Sequence, residues 1–445
     1  MTRTGPTRAQ TVLYALPQVF VAFVTLGIVN YTLAFYAGER GIPLGLISGL
    51  FLLSRLSDVF TDPLIGGLSD RTRGAFGRRK PWILGGLPLF LVSVWFLFRP
   101  PEEVSGLYFF VWLSLTLLGL TCIQLPYVSW GAELSPDYDE RTRIAATREG
   151  IGLIGSIAAV GVAVAWAMRG RTDLEATLAT MAAMTMVAAP VFTLLALRVP
   201  SPPPAVDDEP LGLRASLGTV AGNGPFRLLL LAAFVSFVAL VPGGAMNYFV
   251  FDAVYGRADL QAISVAGEFA AGILGLPAWN ALAARTSKSR ALALAFVWIG
   301  GLTCLVPLAG DAFGVFGVMG MAAVRALALG AVLSMPYAIL ADVVDVDTAR
   351  TGRERTALYM AIAGVVVKLA LTVGISVALA IPARYGFDPA AASNTQSALW
   401  SVEATFAYLP GVIWLLAAPL FWFFPLGQAA VAANRAAIQA RARAA

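Results

Sequence analysis

The chain has 445 residues, of which 58% are hydrophobic and only 13% are charged, and its mean hydropathy is +0.76. This composition excludes an ordinary soluble domain and predicts a membrane protein. The net charge of +5 is dispersed over short loops, so it does not predict a nucleic-acid partner, and the lack of histidine excludes His-based catalytic triads, metal sites and proton relays.

Twelve apolar runs are long enough to cross a bilayer, which needs roughly 20 apolar residues per helix. In chain order we predict spans at residues 11–37, 43–69, 81–99, 105–133, 147–168, 177–197, 227–250, 260–284, 291–309, 313–341, 357–382 and 400–425. Most of the 31 Lys and Arg residues fall in loops on one side of these spans, and such an excess marks the cytoplasmic side. We therefore expect a multi-pass protein of the inner (cytoplasmic) membrane with both termini in the cytoplasm.

A polar, proline-rich segment interrupts the apolar pattern between the sixth and seventh spans. Pro126-Tyr127 in the fourth span returns as Pro336-Tyr337 in the tenth, which indicates an internal repeat. Two same-sense halves joined by a central loop are the arrangement of the major facilitator fold, with a midplane site between the halves. We predict an all-α membrane protein of that fold, with twelve transmembrane helices in an N-terminal six-helix half (1–198), a cytoplasmic linker (199–225), a C-terminal six-helix half (226–425) and a cytoplasmic tail (426–445).

The second span carries an arginine and two carboxylates, although a centrally placed charge costs at least about 2.5–3.5 kcal/mol in a membrane helix. Asp58 and Asp62 are four residues apart and share a helix face, and Arg55 lies within ion-pairing range of Asp58. Pro63 has no backbone N–H, so the carbonyl one turn earlier lacks its usual helical hydrogen bond. One arginine does not neutralise two carboxylates, which favours a transported-cation site. The alternative is a buried salt bridge that only positions neighbouring helices.

Two further basic residues lie deep in the predicted spans. Lys368, in the eleventh span, is too far from the interface to reach it easily, and we expect it to couple electrostatically to the carboxylates. An internal pair within the C-terminal half is the alternative. Arg325 in the tenth span either pairs with Glu268 or faces the cavity, where it would favour an anionic solute.

The predicted cytoplasmic loops carry charges of both signs, which could latch the cytoplasmic side shut. Solvated loops that merely follow the positive-inside rule are the alternative for each residue. The candidate gate residues are Asp70, Arg71, Arg141, Asp342, Asp345 and Arg353.

Polar and aromatic residues in the spans are candidate solute ligands, although each is more often a packing residue. Gln124 is the strongest of them because it lies near mid-depth in the fourth span. No Walker-type loop or nucleophile–base arrangement is present, so neither ATP-driven transport by this chain nor catalysis is expected. The candidate coupling and solute residues are Gln18, Arg55, Gln124, Tyr127, Arg148 and Lys368.

These motifs together resemble one transporter family, the glycoside–pentoside–hexuronide:cation symporters (melibiose permease-like) of the major facilitator superfamily. The resemblance extends from about Tyr14 to Phe424 and lies in the combination of motifs. The motifs are Arg55-x-x-Asp58-x-x-x-Asp62-Pro63, Asp70-Arg71-Thr72, Gly77-Arg78-Arg79-Lys80-Pro81-Trp82, Pro126-Tyr127, Asp139-Glu140-Arg141-Thr142-Arg143, Asp342-Val343-Val344-Asp345 and Lys368.

The resemblance implies that Asp58 and Asp62 hold a coupling monovalent cation, which is sodium, lithium or a proton. Thr121 then matches a hydroxyl ligand of the cation site. Thr61 stands where melibiose permease has an asparagine, so the preference for sodium is open. No resident cofactor is implied, and the expected partners are the solute, the cation and the lipid bilayer around a monomer.

The solute site departs from the pattern that the resemblance implies. Lys368 and Arg148 match the family, but Gln124 replaces the acid of the fourth span, and the first span has Gln18 and no acid. A glycoside, pentoside or hexuronide is therefore expected rather than melibiose itself. An anionic or lysolipid-like solute remains an alternative, and a non-transporting membrane receptor on the same fold is a competing interpretation.

Overall fold

The structure is a computed structural model that describes residues 5–73, 76–135, 137–201, 218, 222–351 and 355–444. Within these residues every regular element is helical. Most of the predicted linker at 199–225 lies outside the described residues. Contacts divide the chain into unit 1 (Met1–Asp207, Ala258–Ala262 and Gly386–Asn394) and unit 2 (Asp208–Arg257, Ile263–Tyr385 and Thr395–Ala445).

The helices up to residue 196 belong to unit 1 and follow its apolar runs. They are α1 (Arg8–Ala15), α2 (Pro17–Gly27), α3 (Leu33–Gly38), α4 (Leu44–Leu56), α5 (Asp58–Arg71), α6 (Lys80–Phe98), α7 (Gly106–Glu133), α8 (Tyr138–Ala167) and α9 (Leu174–Ala196). A π-helical turn, Ile28–Thr32, joins α2 to α3. Pro17 begins α2, a position where its missing amide N–H is not needed.

The remaining helices belong to unit 2, apart from the first residues of α11. They are α10 (Gly224–Phe249), α11 (Ala258–Arg285), α12 (Lys288–Cys304), α13 (Val306–Ala326), α14 (Leu329–Thr351), α15 (Thr356–Arg384), α16 (Gln396–Glu403), α17 (Leu409–Trp422) and α18 (Gln428–Ala444). Two π-helical turns, Val250–Val254 and Ala404–Tyr408, extend α10 and join α16 to α17.

The described residues contain 11 helical segments that are long and apolar enough to cross a membrane. One of these, Val306–Thr351, has 46 residues, about twice the length that a single crossing needs. It is interrupted at Gly314, whose φ of 61° lies in the left-handed region that glycine tolerates. The 17-residue α12 and the residues before Gly314 together are long enough for one crossing, so we place the turn between two spans at Gly314. This division gives the twelve transmembrane helices expected from hydropathy.

Contacts across this turn show that its two arms pack side by side. The indole Nε1 of Trp298 in α12 donates to the Val324 carbonyl in α13, at 3.0 Å. A side chain at Gly317 would collide with the Ala309 carbonyl, so glycine is required for the close approach. The predicted loop near residues 310–312 is therefore displaced by only a few residues.

Each unit has its own packing. In unit 1, α6 packs against α7 and α9, and α2 packs against α8 and α9. In unit 2, α12 packs against α17, and α10 packs against α15 and α17. The unit 2 core contains an edge-to-face pair between Phe296 and Phe421, with ring centroids 5.4 Å apart. Burial of such aromatic side chains fixes the helices that carry the charged residues.

Candidate functional site

The first carboxylate of the second span, Asp58, lies directly after a break between two helices. Helix α4 ends at Leu56, and Asp58 begins α5 after Ser57, whose hydroxyl donates to the Ser54 carbonyl at 2.6 Å. The Asp58 residue is only 6% exposed. Arg55 Nη1 lies 3.5 Å from Asp58 Oδ2, so the ion pair suggested by the spacing forms in the structure.

The second carboxylate is held by a different helix. Asp62 lies one turn beyond Asp58, and the buried Thr121 hydroxyl of α7 donates to Asp62 Oδ1 at 3.2 Å. The Thr61 hydroxyl is also buried and has no hydrogen-bond partner in the described part of the chain. The structure therefore brings Asp62 and Thr121 into direct contact, beside the Arg55–Asp58 pair.

The donor set of this region consists of oxygen atoms. The region contains two carboxylates, two hydroxyls and one guanidinium. These five residues, which are Asp58, Asp62, Thr61, Thr121 and Arg55, carry one net negative charge when the carboxylates and the guanidinium are ionised. Hard monovalent and divalent cations both prefer oxygen ligands, but this charge balance suits a single positive charge. Among the described residues, no group of three or more His, Cys, Asp or Glu side chains is placed to hold a metal ion. The arrangement can accept and release one proton or one alkali cation.

A cluster of polar aromatic residues forms a second part of unit 1. Tyr14 stacks on Tyr127 with ring centroids 4.8 Å apart and meets Trp130 edge-on at 5.4 Å. The Tyr14 hydroxyl donates to the Tyr127 carbonyl at 3.1 Å and lies beside the guanidinium of Arg148. Gln18 packs against Gly152, one turn after Arg148, where a larger residue would collide with its side chain. The first, fourth and fifth spans meet here.

Several polar atoms of this cluster have unused hydrogen-bonding capacity. Gln18 Oε1, the Tyr127 hydroxyl and Trp130 Nε1 are all buried and have no hydrogen-bond partner among the described residues. The Tyr127 hydroxyl nevertheless lies next to the Gln18 backbone amide. Because unsatisfied buried polar groups are rare, each needs an explanation, and a polar ligand is one. Of the predicted solute residues, Gln18, Tyr127 and Arg148 are therefore brought together.

The other predicted solute and coupling residues lie on α7, α13 and α15. Gln124 is half-buried on α7, one turn after Thr121. Lys368 is half-buried near the middle of α15 in unit 2, and its carbonyl accepts a bond from the Thr372 hydroxyl at 2.8 Å. Arg325 Nη2 lies 2.8 Å from Glu268 Oε2, so the structure shows the internal ion pair that the sequence left open.

A charged cluster joins the end of α5, the start of α6 and the end of α7 in unit 1. Arg79, only 7% exposed, contacts Asp70 at 2.5 Å, donates to the Ser69 hydroxyl at 2.8 Å and pairs with Glu133. Arg78 pairs with the same Glu133 carboxylate at 3.0 Å. Asp70 was predicted as a gate residue, and the cluster contains it. Arg79 and Glu133 belong to the charged cytoplasmic segments that the sequence indicates, but they were not among the candidate gate residues.

The remaining candidate gate residues differ in burial. Arg71 is exposed, Arg141 and Asp345 are half-buried, and Asp342 is buried and pairs with Lys288 at 2.7 Å. Arg353 lies outside the described residues. The roles of these residues as a gate remain predictions.

Comparisons with known proteins fit this geometry. The profile of the family described as "MFS/sugar transport protein" matches residues 13–428. The inner membrane symporter YicJ of Escherichia coli (strain K12) is 25% identical over 407 residues, which cover 87% of this chain and 85% of YicJ. The isoprimeverose transporter of Lactiplantibacillus pentosus is 22% identical over 415 residues, which cover 89% of this chain and 84% of that protein.

Solved structures support the fold. The xylose transporter XylE from E. coli, in a partially occluded inward-open conformation, superimposes with a TM-score of 0.64 at 14% sequence identity. The match covers 95% of this chain and 98% of XylE. At this identity the similarity concerns the fold alone, which is the major facilitator fold expected from the two-half pattern.

Proposed function

The chain belongs to the MFS/sugar transport protein family, and we propose that it is a symporter that couples one monovalent cation to a sugar-like solute. It is a multi-pass membrane transporter and not an enzyme. The proposed location is the inner membrane, with both termini in the cytoplasm. Transport would proceed by alternating access, which is general for secondary transporters of this architecture.

The observation that carries the proposal is the hydrogen bond from Thr121 to Asp62 beside the ion pair of the half-buried Arg55 with the buried Asp58. Carboxylates within a membrane segment are costly and are retained mainly for ion or proton pathways. Here Asp58 pairs with Arg55, and Asp62 accepts a hydrogen bond from the Thr121 hydroxyl. We propose that Asp58 and Asp62 bind the coupling cation with Thr121 and Thr61, and that Arg55 holds Asp58 in place.

The solute would bind to the polar aromatic cluster of unit 1. Its unsatisfied atoms include both donors and acceptors, which match the hydroxyl groups of a sugar. Arg148 adds a guanidinium, which pairs with the exposed Glu149 carboxylate at 2.6 Å. A guanidinium binds carboxylates in a bidentate manner, so a solute carboxylate would compete with Glu149 for it. Gln124 and Gln18 carry no negative charge, and among glycosides, pentosides and hexuronides we propose a hexuronide. Lys368 is proposed as a coupling residue in unit 2.

The proposal is tested by uptake into proteoliposomes that contain the purified full-length protein. Labelled glucuronides, xylosides and galactosides are offered with inward gradients of sodium, lithium or protons, and with choline as the control cation. Uptake that requires one of these gradients supports symport and identifies the cation. Accumulation that is equal under all gradients, or the absence of uptake for every sugar class, would contradict the proposal.

Binding provides a second test that does not depend on knowing the solute. A cation that binds the folded state raises the melting temperature by mass action. By linkage, a transported solute and the coupling cation must increase each other's affinity by the same factor. A solute whose binding is unchanged by the cation would rule out coupling through this site.

A further inference from the structure

A cavity of about 740 Å³ lies in unit 2, beside the last turns of α11 and the middle of α14. Its walls come from four segments: the last turns of α11, the α11–α12 turn, the middle of α14 and the start of α18. Its volume falls within the roughly 300–1,000 Å³ that is typical of small-molecule sites. None of the residues proposed above to bind the coupling cation or the sugar lines it.

The cavity forms because α11 and α14 approach closely at one level and then separate. Gly272 and Gly275 of α11 lie against the backbone around Ala326 and Leu327, and Gly330 lies against the Gly272 carbonyl. Small residues allow this close approach between membrane helices. Towards residues 284 and 342 the two helices diverge, and α18 packs against α14 there. Gln428 Nε2 donates to the Ala284 carbonyl at 3.1 Å, which fixes the start of α18 across the gap.

The polar wall of the cavity contains one ammonium group. Lys288 Nζ lies 2.7 Å from Asp342 Oδ2 and 3.2 Å from the Ala338 carbonyl. An ammonium has three donors, and these two contacts account for two of them. The Lys288 side chain is 37% exposed, whereas the Asp342 side chain is 6% exposed. The lysine can therefore bind a further acceptor without giving up its contact with Asp342.

The surroundings of the cavity are basic and interfacial. Arg285 and Arg290 flank Lys288 in sequence, and both are exposed. The Arg290 guanidinium lies 5.8 Å from the ring centroid of Trp422, which is exposed at the end of α17. Tryptophan and arginine at the end of a span are typical of the membrane–water interface. The sequence of α18 has three arginines and no acidic residue.

We propose that this cavity binds the phosphate head group of an anionic phospholipid from the leaflet at this end of unit 2. Lys288 would contact the phosphate, and the neighbouring Arg285 and Arg290 would add positive charge beside the cavity. Leu276, Met335 and Val431 would provide apolar surface for the glycerol and the first acyl carbons. Basic pockets between helices on the cytoplasmic side are suited to such lipids, because anionic lipids are attracted to clustered lysine and arginine. Bound lipid would then join α11, α14 and α18 at this end of unit 2.

The test compares the full-length protein in nanodiscs of phosphatidylcholine alone and of phosphatidylcholine mixed with phosphatidylglycerol. We expect phosphatidylglycerol to raise the melting temperature, and native mass spectrometry to show retained phosphatidylglycerol. A parallel sample in detergent receives soluble glycerol phosphate, which carries the same phosphate group without acyl chains. A shift with glycerol phosphate but none with phosphatidylglycerol would assign the site to a soluble phosphate compound and overturn the lipid assignment.

Two variants locate the effect. Arg285→Gln/Arg290→Gln leaves the Lys288–Asp342 pair intact, and we expect it to lose roughly half or more of the phosphatidylglycerol shift, since each basic residue near the surface adds to lipid attraction. Ala284→Trp fills the cavity and should abolish the shift.

Each variant has a matched control. Arg384→Gln removes an exposed charge at the other end of a span, and Ala281→Trp adds the same bulk on α11 outside the cavity. Both should keep the full shift. Equal shifts of the melting temperature in Ala284→Trp and wild type would overturn the proposal. If Ala284→Trp does not fold, the Arg285→Gln/Arg290→Gln variant alone tests it, and a full shift in that variant would overturn the proposal.

Discussion

Thr121 and Asp62 lie on different helices and are joined by a hydrogen bond, with the Thr121 hydroxyl 3.2 Å from Asp62 Oδ1. The two residues are 59 positions apart, so the contact exists only when α5 and α7 are packed together. A threonine hydroxyl can donate to a carboxylate and can also turn a lone pair to a cation. The contact therefore allows the same side chain to hold Asp62 in place and to bind the transported ion.

Removing either carboxylate is expected to abolish cation binding. Asp58→Asn and Asp62→Asn each remove a full negative charge while keeping the size of the side chain. In wild type, a cation at about 100 times its Kd should stabilise the fold by about 2.7 kcal/mol, and both variants should lose this gain. The measurement is the melting temperature in sodium, lithium and choline. Glu103→Gln, a change in an exposed loop, should leave the gain unchanged. A sodium or lithium gain that persists in both asparagine variants would exclude this site.

The hydroxyl of Thr121 is expected to contribute more to cation affinity than its methyl group. Thr121→Ala removes a hydrogen bond to a charged group, which is worth about 1.5–3 kcal/mol, so cation affinity should fall roughly ten- to one-hundredfold. Thr121→Ser keeps the hydroxyl and should stay within about threefold of wild type. Titration of the melting temperature with the coupling cation gives both affinities. Equal losses in the two variants would indicate a packing role for the threonine instead.

Sequence alone predicts much of the fold because each transmembrane helix must be apolar over a fixed length. It does not predict the break at Ser57 or the π-helical turn at Ile28–Thr32, since each lies inside a single predicted span. The turn at Gly314 was placed a few residues early for the same reason. That a segment forms a transmembrane helix follows from its apolar composition in a bilayer, whereas the residue at which the chain turns depends on local packing.

The candidate site shows a similar limit. The Arg55–Asp58 pair follows from helical spacing within one segment. The contact between Thr121 and Asp62 crosses two helices, and only the family resemblance pointed to it. For Arg325 the sequence left two options open, and the distance to Glu268 distinguishes them. Contacts between distant segments depend on helix orientation, which a single sequence does not state.

Arg148 is expected to distinguish acidic from neutral sugars. Arg148→Met removes the guanidinium, so the affinity for a glucuronide should fall at least roughly tenfold, while the affinity for a neutral xyloside should change less. Arg169→Met is the matched control, because Arg169 is an exposed residue just beyond the end of α8. Ligand-induced shifts of the melting temperature provide the comparison. If both sugars lose affinity equally, the arginine supports the site without selecting a carboxylate.

The Arg325–Glu268 pair is expected to show strong coupling in a double-mutant cycle. Arg325 is 6% exposed, and its guanidinium also lies 5.7 Å from the ring centroid of Phe406. Glu268→Leu or Arg325→Met leaves one buried charge unpaired, which costs about 3–5 kcal/mol, whereas the double variant leaves none and should recover much of the loss. Thermal unfolding of the four proteins measures this. Additive losses would show that the two residues do not depend on each other.

Two glycines of α8 provide a test of the packing that supports the solute cluster. A side chain at Gly155 would collide with the Val19 carbonyl of α2, while the space at Gly161 is open. Gly155→Ala should therefore push α2 away from α8 and cost about 1–3 kcal/mol. In contrast, Gly161→Ala should be neutral or stabilise by up to about 1 kcal/mol through helix propensity. Because Gln18 precedes Val19, only Gly155→Ala should also weaken solute binding, which the solute-induced shift of the melting temperature measures. Equal effects of the two substitutions would contradict the close contact between α2 and α8.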